Sequence, residues 1–419
     1  MSVAIGIDVG TSGVRAAAVE RDGPVLAMAR ADHPPQTGAG IDAALWWRAV
    51  SDALDALRAA GAPFEDVTHI CVDGTSGTLA LVDAALAPVA PALMYNSSGF
   101  VAEAERIGHV AEPVSIARGQ NSALARLLRL QTMDGERAAT HALTQCDYIL
   151  AKLAGCAIGS DANNVLKLGY DPATGTWPGW FEEAGVRMDL LPVVHLPGTE
   201  IASVAPDMAE RFGLSTKTVL AAGTTDSIAA FLAAGVTTPG GAVTSLGSTL
   251  AVKLLSATRV DDPDRGVYSH RLGDMWLAGG ASNTGGAVLS ALLPGADLAA
   301  LSAGIDPEVE TGLDYYPLAK PGERFPINDP ELPPRTSPRP EDDTVYLHGL
   351  LEGMSQIEAI AYGALAELGA TPVSRIVTAG GGATNPVWTA IRQRRIGVPI
   401  HVAPESEAAV GAARLAFVR

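Results

Sequence analysis

The amino-acid sequence predicts an α/β protein with two domains. Strand-like runs alternate with helical runs rich in Ala and Leu, a pattern typical of helices layered against sheets. The chain has 419 residues, which is more than one ordinary hydrophobic core organises. The third observation is a pattern that occurs twice in the chain. A strand, a turn of Gly, Ser and Thr, and a second strand occur near residue 5 and again near residue 243.

The first half of the chain begins with a hairpin and continues with helices. IGIDV and VRAAAVE lie close enough to form a β-hairpin, and later runs have apolar residues at helical spacing. The predicted elements are strands at 5–9 and 14–20, a helix at 42–61, a strand at 69–77, and helices at 124–134 and 146–155. Trp46 and Trp47 in the first helix are predicted to pack in the core rather than against a sugar.

The second half repeats the alternation around a second hairpin. Its predicted elements are a strand at 218–223, a helix at 227–235, a strand–turn–strand unit at 241–256, a long helix at 347–369, a strand from 375 and a helix at 386–394. The Pro-rich stretch at 318–343 is predicted to be a surface excursion rather than a domain linker, because helical residues resume at about Val345.

Charge and cysteine content exclude several classes of protein. The net charge of −17 argues against a broad surface for nucleic acid or an anionic membrane. Cys71, Cys146 and Cys156 are scattered, which fits neither a disulfide framework nor a zinc site and suits a reducing compartment. No run of about 18 apolar residues occurs, so no membrane span is predicted. We therefore expect a cytoplasmic protein with no nucleic-acid or membrane partner.

The turn GTSG, residues 10–13, directly follows the first predicted strand. Gly and hydroxyl residues suit an ordinary turn, but they also form nests that bind phosphate oxygens. The P-loop and dinucleotide motifs do not fit, because the residues after Gly13 do not begin a helix. A phosphate here would sit in a hairpin turn, with Thr11 and Ser12 as donors. Alternation along the strand predicts that Arg15 points away from it, and we assign it no role.

The segment SLGST, residues 245–249, repeats this turn chemistry in the second half. Two such hairpins, one from each lobe, could together bind a polyphosphate. Asp8 ends the first strand, and Asp226 stands between a strand and a helix. Either carboxylate alone could simply cap a turn or a helix. Together, beside Gly-hydroxyl turns, they favour a site for Mg²⁺ and phosphate.

Two further Gly-rich segments are candidate binding segments. VDGTSG, residues 72–77, is a short copy of the first motif, in which Asp73 ends a strand. It is either a plain turn or a site where Ser76 and the Gly74 backbone approach a substrate. AGGGATN, residues 379–385, follows a strand and precedes a helix, so its backbone could lie against a flat ligand.

These motifs together resemble those of the FGGY carbohydrate kinases. GIDVGTSGVRA looks like the first phosphate motif of that family, AAGTTDSIAAFLAAG its catalytic segment, TSLGST its second phosphate motif, and TAGGGATNPVW its adenosine motif. The resemblance covers nearly the whole chain. It implies two actin-like, ribonuclease-H-like lobes with an interdomain cleft that close over both substrates. The implied N-terminal lobe, at about 1–233 and 407–419, binds sugar, and the lobe at about 234–406 binds nucleotide.

The resemblance also implies roles for individual residues. Asp226 would be the general base that takes the proton from a sugar hydroxyl, and Asp8 and Asp226 would bind Mg²⁺. Asp8, Gly74, Ser76 and Asp226 would contact the sugar. The co-substrate ATP would be held by Thr11, Ser12, Gly247, Ser248 and Thr249 at its phosphates, and by Gly380, Gly381, Gly382 and Asn385 at its adenosine.

The identity of the sugar depends on finer features. The chain is shorter than typical members of the family, and PALMYNSSG, residues 91–99, replaces a common sugar-contacting segment. SALARLLRLQ, with Arg126, replaces a Lys-rich one. The short form, with VDGTSGT, DANNVLKLGY and GLDYYPL, looks like the xylulokinase-like subgroup that phosphorylates D-ribulose. D-ribulose is therefore the expected substrate, with D-xylulose next and other polyols or sugar acids as rivals.

A non-catalytic actin-like nucleotide-binding regulator is the alternative of a different class. A pure sensor has no need for a general base, so Asp8, Asp226 and the two turns argue against it. We expect a monomer or a homodimer whose partner is a small-molecule sugar.

Overall fold

A computed structural model describes residues 2–34 and 41–418 of the chain. The chain forms two compact units. Unit 1 comprises Met1–Ala233, His270–Gly273 and Glu407–Arg419, and unit 2 comprises Ala234–Ser269 and Asp274–Ser406. The N-terminal lobe predicted from the sequence includes Met1, residues 35–40 and Arg419, which lie outside the described residues. Within the described ranges, no helix has the length and apolar character needed to cross a membrane.

Unit 1 is built from ten strands and seven longer helices among its described residues. They are β1 (Val3–Val9), β2 (Gly13–Glu20), β3 (Val25–Asp32), α1 (Ala44–Ala59), β4 (Val67–Gly74), β5 (Leu79–Val82), α2 (Val101–Val110), α3 (Ala123–Met133), β6 (His141–Thr144), α4 (Gln145–Ala154), β7 (Ser160–Asp161), β8 (Val194–His195), β9 (Glu200–Ser203), α5 (Pro206–Phe212), β10 (Val219–Thr225), α6 (Asp226–Ala233) and, at the C-terminal end, α11 (Ala408–Leu415).

The main sheet of unit 1 has the strand order β3-β2-β1-β4-β10-β9. β1 and β2 form the predicted antiparallel hairpin, with Val9 opposite Val14. β4 is parallel to both β1 and β10, so these three strands end at the same edge of the sheet. Parallel strands require long crossover connections, which the intervening helices supply. Residues that follow β1, β4 and β10 are therefore brought together from distant parts of the chain.

Apolar packing covers both faces of this sheet. Every residue of β1 is buried, as expected for a central strand with helices on both sides. Trp46 of α1 packs edge-to-face on Tyr148, and Trp47 packs in the same way on Phe212. The predicted core role of this Trp pair is confirmed. The Ala-rich helix α11 packs on β1 and α6, so the C-terminal segment belongs to unit 1.

Unit 2 repeats the same plan in a second sheet. Its elements are β11 (Gly241–Leu246), β12 (Leu250–Ser256), β13 (Tyr268–Leu272, whose last residues count with unit 1), β14 (Met275–Ser282), α7 (Gly286–Leu292), α8 (Leu298–Ala303), α9 (Asp343–Glu367), β15 (Arg375–Ala379), α10 (Pro386–Ile396) and β16 (Ile400–Val402). The order is β13-β14-β12-β11-β15-β16. β11 and β12 form the predicted second hairpin, and β15 lies parallel to β11.

The Pro-rich stretch at 318–343 lies within unit 2 and is not a linker between the units. It is more than a surface excursion, because Leu318 and Phe325 are almost fully buried. Buried Glu323 also accepts hydrogen bonds from Ser282 and Tyr316. The buried ring of Phe325 and the hydrogen-bonded carboxylate of Glu323 anchor this stretch at the end of β14. The sequence did not predict that these residues are buried, because a high content of Pro and charge indicates only that regular structure is absent.

Candidate active site

Three carboxylates meet where β1, β4 and β10 end. Asp8 of β1 is directly opposite Asp73 of β4 in the parallel register, and Asp226 is the first residue of α6, directly after β10. The pKa of Asp73 responds to the charges of both Asp8 and Asp226, so all three groups lie in one electrostatic neighbourhood. The two aspartates that the sequence predicted as site residues are therefore brought together in unit 1.

Asp73 is the buried centre of this carboxylate cluster and was not among the predicted site residues. Its side chain is 0% exposed, and neither carboxyl oxygen receives a hydrogen bond from the described residues. Burial raises its pKa well above the usual range, and the charges of Asp8 and Asp226 raise it further. The signal in the sequence was the copy of the first motif in VDGTSG, from which we selected only Gly74 and Ser76.

Arg15 lies against the carboxylate cluster. Its guanidinium Nη1 is 3.1 Å from Asp8 Oδ2, and its Nε is 3.3 Å from Glu407 Oε2. The sequence predicted that Arg15 points away from a phosphate in the turn and assigned it no role, whereas the structure places its side chain against Asp8. Asp8 and Arg15 are directly opposite each other in the antiparallel hairpin, so their side chains lie on the same face of the sheet. The side chain of Arg15 is 47% exposed, so it offsets part of the negative charge while remaining accessible.

The first Gly-hydroxyl turn is a tight hairpin connection. Gly10 N donates to Gly13 O at 3.0 Å, and a ring nitrogen of His33 is 2.9 Å from Gly10 O. Thr11 and Ser12 are exposed at its tip. The turn directly follows Asp8 and Val9, so its hydroxyl groups lie next in the chain to the carboxylate cluster. This geometry can present donors to an anion without a helix N-terminus.

The turn after β4 is held from behind by Gln145 and Arg126. Gln145 Oε1 accepts from Thr75 N at 3.1 Å and from Thr75 Oγ1 at 2.8 Å. Arg126 donates to Gly77 O at 3.0 Å and also to Tyr95 O. Burial lowers the pKa of Arg126 to about 10. The buried hydroxyl of Ser76, by contrast, has no partner among the described residues, so it is available to a ligand.

A cavity of about 620 Å³ lies within unit 2. It is lined by five of the predicted nucleotide residues, which come from two separate segments: Gly247, Ser248, Gly381, Gly382 and Asn385. Leu289, Leu298, Leu347 and Leu351 supply apolar walls. A slot with apolar sides and a Gly-Ser turn at its rim suits a flat base with a polar tail.

Three of the predicted nucleotide residues either do not line the cavity or have side chains engaged in other contacts. Thr249 and Gly380 are not among the lining residues of this cavity. Gly380 has a φ of +86°, and a Cβ there would lie 2.6 Å from Leu246 O, so glycine is needed for backbone packing. Asn385 does line the cavity, but its side chain caps α10 through Trp388 N and donates to Ser302 Oγ. Its side chain therefore shapes the cavity wall.

Two further carboxylates of unit 1, Asp147 and Asp161, are buried with acceptor atoms within 4.8 Å of each other. Burial raises the pKa of Asp147 to about 6, and burial with the Asp147 charge raises that of Asp161 to about 7. The pKa of an unfolded aspartate is about 3.9. The fold therefore retains protons that the unfolded chain has lost. This stabilisation is complete below about pH 4 and is lost as pH rises to about 7.

We predict that Asp147→Asn weakens this pH dependence. The amide oxygen of the variant can still accept from Thr144 N, as Asp147 does at 3.0 Å, and the amide adds no charge beside Asp161. The wild-type free energy of unfolding should fall by about 4 kcal/mol from about pH 5 to about pH 8, and by less in the variant. Urea unfolding at both pH values measures this, with Asp83→Asn as a control at a partly exposed carboxylate. Equal pH dependence in Asp147→Asn and wild type would contradict the prediction.

Comparisons with known proteins identify the family of the chain. Residues 3–233 match the N-terminal domain of the FGGY family of carbohydrate kinases, and residues 242–419 match its C-terminal domain. The chain is 29% identical to a xylulose kinase of Streptomyces coelicolor over 442 residues, covering 98% of this chain and 86% of that protein.

Solved structures share the fold. A xylulose kinase from Rhodospirillum rubrum matches with a TM-score of 0.84 at 24% identity, covering 98% of this chain and 88% of that one. A gluconate kinase from Lactobacillus acidophilus matches with a TM-score of 0.83 at 18% identity, covering 99% and 88%. The predicted two-domain, actin-like α/β fold is confirmed. Kinases named for different sugars superpose equally well, so the fold does not select the acceptor.

The family match spans both halves of the chain and so decides the class of reaction. Sugar kinases of this family use ATP and act on small-molecule sugars. The protein belongs to the FGGY family of carbohydrate kinases, phosphotransferases whose acceptor is an alcohol group.

Proposed function

We propose that this kinase phosphorylates a ketopentose, with D-ribulose as the preferred acceptor. The observation that carries the chemistry is the cluster of Asp8, Asp73 and Asp226 at the ends of three strands. The choice of D-ribulose rests on the sequence resemblance in VDGTSGT, DANNVLKLGY and GLDYYPL. D-xylulose is the second candidate, because the Streptomyces coelicolor relative is named a xylulose kinase.

Asp226 is the general base of this proposal. The Ser227 backbone N–H donates to Asp226 Oδ1 at 2.5 Å, which orients the carboxylate at the start of α6. Asp226 is only half-buried, so a substrate hydroxyl can reach it. A sugar hydroxyl is a poor acid, so the base removes the proton as the oxygen attacks the phosphoryl group. Ser76 and Gly74 hold the sugar, since the Ser76 hydroxyl is buried and unsatisfied.

Asp8 and Asp226 are the proposed magnesium ligands. Mg²⁺ prefers one or two carboxylates together with phosphate oxygens and water. The residues fit this requirement, because the buried oxygens of neighbouring Asp73 accept no hydrogen bond from the described residues, and burial with the charges of Asp8 and Asp226 raises the pKa of Asp73. When bound, Mg²⁺ would neutralise charge on the transferred phosphoryl group. Arg15 already holds Asp8 in place.

The nucleotide is assigned to the segment at 234–406 and the sugar to 1–233 with 407–419. The 620 Å³ cavity of unit 2 supports the first assignment, with Gly381, Gly382 and Asn385 beside the adenosine. Gly247, Ser248 and Thr249 would contact the phosphates, as would Thr11 and Ser12. Gly380 supports the adenosine segment by its packing on Leu246. The carboxylate cluster supports the second assignment.

A panel of acceptors tests the substrate directly. Release of ADP should be measured with D-ribulose, D-xylulose, pentitols, glycerol, hexoses and gluconate at equal concentration. We expect kcat/KM for D-ribulose to exceed that for D-xylulose at least about tenfold, because one misplaced hydroxyl leaves a buried polar group unpaired. A preference for D-xylulose would reverse the substrate choice. ATP binding without ADP release on any acceptor would favour the non-catalytic alternative.

A further inference from the structure

The strand that delivers Asp226 is irregular just before it ends. In the pairing of β10 with β4, Ala221 is opposite Cys71 and Thr224 is opposite Asp73, so β10 contains one extra residue. Such bulges interrupt the ladder and redirect the residues that follow. A Cβ at Gly223 would lie 2.2 Å from Val72 O, so the irregular backbone is packed tightly on β4. The direction of Asp226 therefore depends on what holds Thr224.

Two buried asparagines hold Thr224 in place of a regular ladder. Asn164 Nδ2 donates to Thr224 O at 2.9 Å, and Asn163 Nδ2 donates to Thr224 Oγ1 at 3.0 Å. Both asparagines are at most 1% exposed. The backbone oxygen and the side chain of Thr224 are thus each fixed by a separate amide. Thr224 is two residues before Asp226. These hydrogen bonds therefore hold the backbone directly before the base.

The two amides are themselves fixed in orientation. Asp161 accepts from Asn163 N and Asn164 N at 2.9 Å and from Asn164 Nδ2 at 2.6 Å. Asn163 Oδ1 accepts from Arg271 N at 2.8 Å, and its Nδ2 also donates to Arg271 O at 2.9 Å. Neither amide can rotate without losing two or more buried hydrogen bonds. These bonds fix both amide nitrogens, although Asn164 Oδ1 itself accepts no hydrogen bond from the described residues.

We infer that Asn164 and Asn163 are positioning residues for the general base, acting through Thr224 on the direction of Asp226. This inference rests on the proposed function, in which Asp226 removes the proton. A carboxylate displaced by about 1 Å can lose about 100-fold in rate, because proton transfer requires hydrogen-bond distance. In this inference the segment DANNVLKLGY, residues 161–170, acts through Thr224 on the base.

The test combines single and double variants of the intact chain. Asn164→Ala should lower kcat about 10- to 100-fold, with KM for sugar and for ATP changed less than about twofold. Thr224→Val keeps the shape and removes only the Oγ1 acceptor, so kcat should fall a few-fold. Gln131→Ala is the matched control, because its amide also bridges two backbone groups of unit 1, Gly185 O and Arg187 N. Its kcat should be unchanged.

A double-mutant cycle separates positioning from general destabilisation. In an Asp226→Asn background, Asn164→Ala should cause less than about a twofold further loss, because the base through which it acts is already absent. Equal losses in both backgrounds would overturn the inference, as would normal kcat in folded Asn164→Ala. If Asn164→Ala does not fold, normal kcat in Thr224→Val overturns it instead. Normal turnover in Asp226→Asn would instead remove the proposed base itself.

Discussion

Asp226→Ala should lower kcat at least about 100-fold, which corresponds to roughly 3 kcal/mol of activation free energy. The reason is that Asp226 is the half-buried member of the carboxylate cluster and the one placed to receive a proton. KM for ATP should change less than kcat, since the cavity proposed for the adenosine lies in unit 2. ADP release at saturating ATP and D-ribulose measures the loss, and thermal unfolding shows whether the variant is folded.

Two further variants sharpen this prediction. Asp226→Asn keeps an oxygen that can accept from Ser227 N, so it preserves the local hydrogen bond while removing the base. It should be impaired nearly as much as Asp226→Ala. Asp55→Ala is the control, because Asp55 is an exposed carboxylate of unit 1 paired only on the surface with Arg211. A folded Asp226→Asn enzyme with near-normal kcat would remove Asp226 from the mechanism.

The second large effect is expected in the core of unit 2. Arg392 and Glu358 form an ion pair in which both side chains are 0% exposed, with nitrogen–oxygen distances of 2.6 and 2.7 Å. Arg392 also donates to Thr378 of β15, and Thr244 of β11 donates to Glu358. The pair therefore links α9 and α10 to β11 and β15, the two strands that lead into the proposed nucleotide segments.

Arg392→Met should lower the free energy of unfolding by about 3–5 kcal/mol, because it leaves Glu358 charged and buried without its partner. Urea unfolding measures the change. The double variant Arg392→Met with Glu358→Met should recover much of the loss, since no buried charge remains. Arg335→Met, which breaks an exposed pair with Asp314, should cost less than about 1 kcal/mol. A loss below about 1 kcal/mol in Arg392→Met would contradict the account of this core.

Local chemistry was enough to predict the hairpins and the positions of Asp8 and Asp226. A strand that ends in a carboxylate and a Gly-hydroxyl turn carries its signal within about ten neighbouring residues. The role of Asp73 was harder to predict, because its burial depends on β4 lying between β1 and β10. That order arises from pairings between residues far apart in the chain.

Several contacts at the site depend on strand register or on residues far apart in the chain. The direction of Arg15 follows from its place opposite Asp8 across the hairpin, not from alternation along one strand. Gly380 and Gly381 are neighbours of the same type, yet one packs on Leu246 and the other lines the cavity. The contact of Asn164 with Thr224 joins residues 60 positions apart. No periodicity in a single sequence predicts such contacts.

The central claim is that the carboxylate cluster in unit 1 is where the sugar hydroxyl is deprotonated. The most direct measurement is a crystal structure of Asp226→Asn with D-ribulose, Mg²⁺ and a non-hydrolysable ATP analogue. We predict one sugar hydroxyl within about 2.6–3.2 Å of the substituted side chain at position 226, with the metal beside Asp8. An ordered sugar whose hydroxyl groups all lie away from residues 8, 73 and 226 would contradict the account.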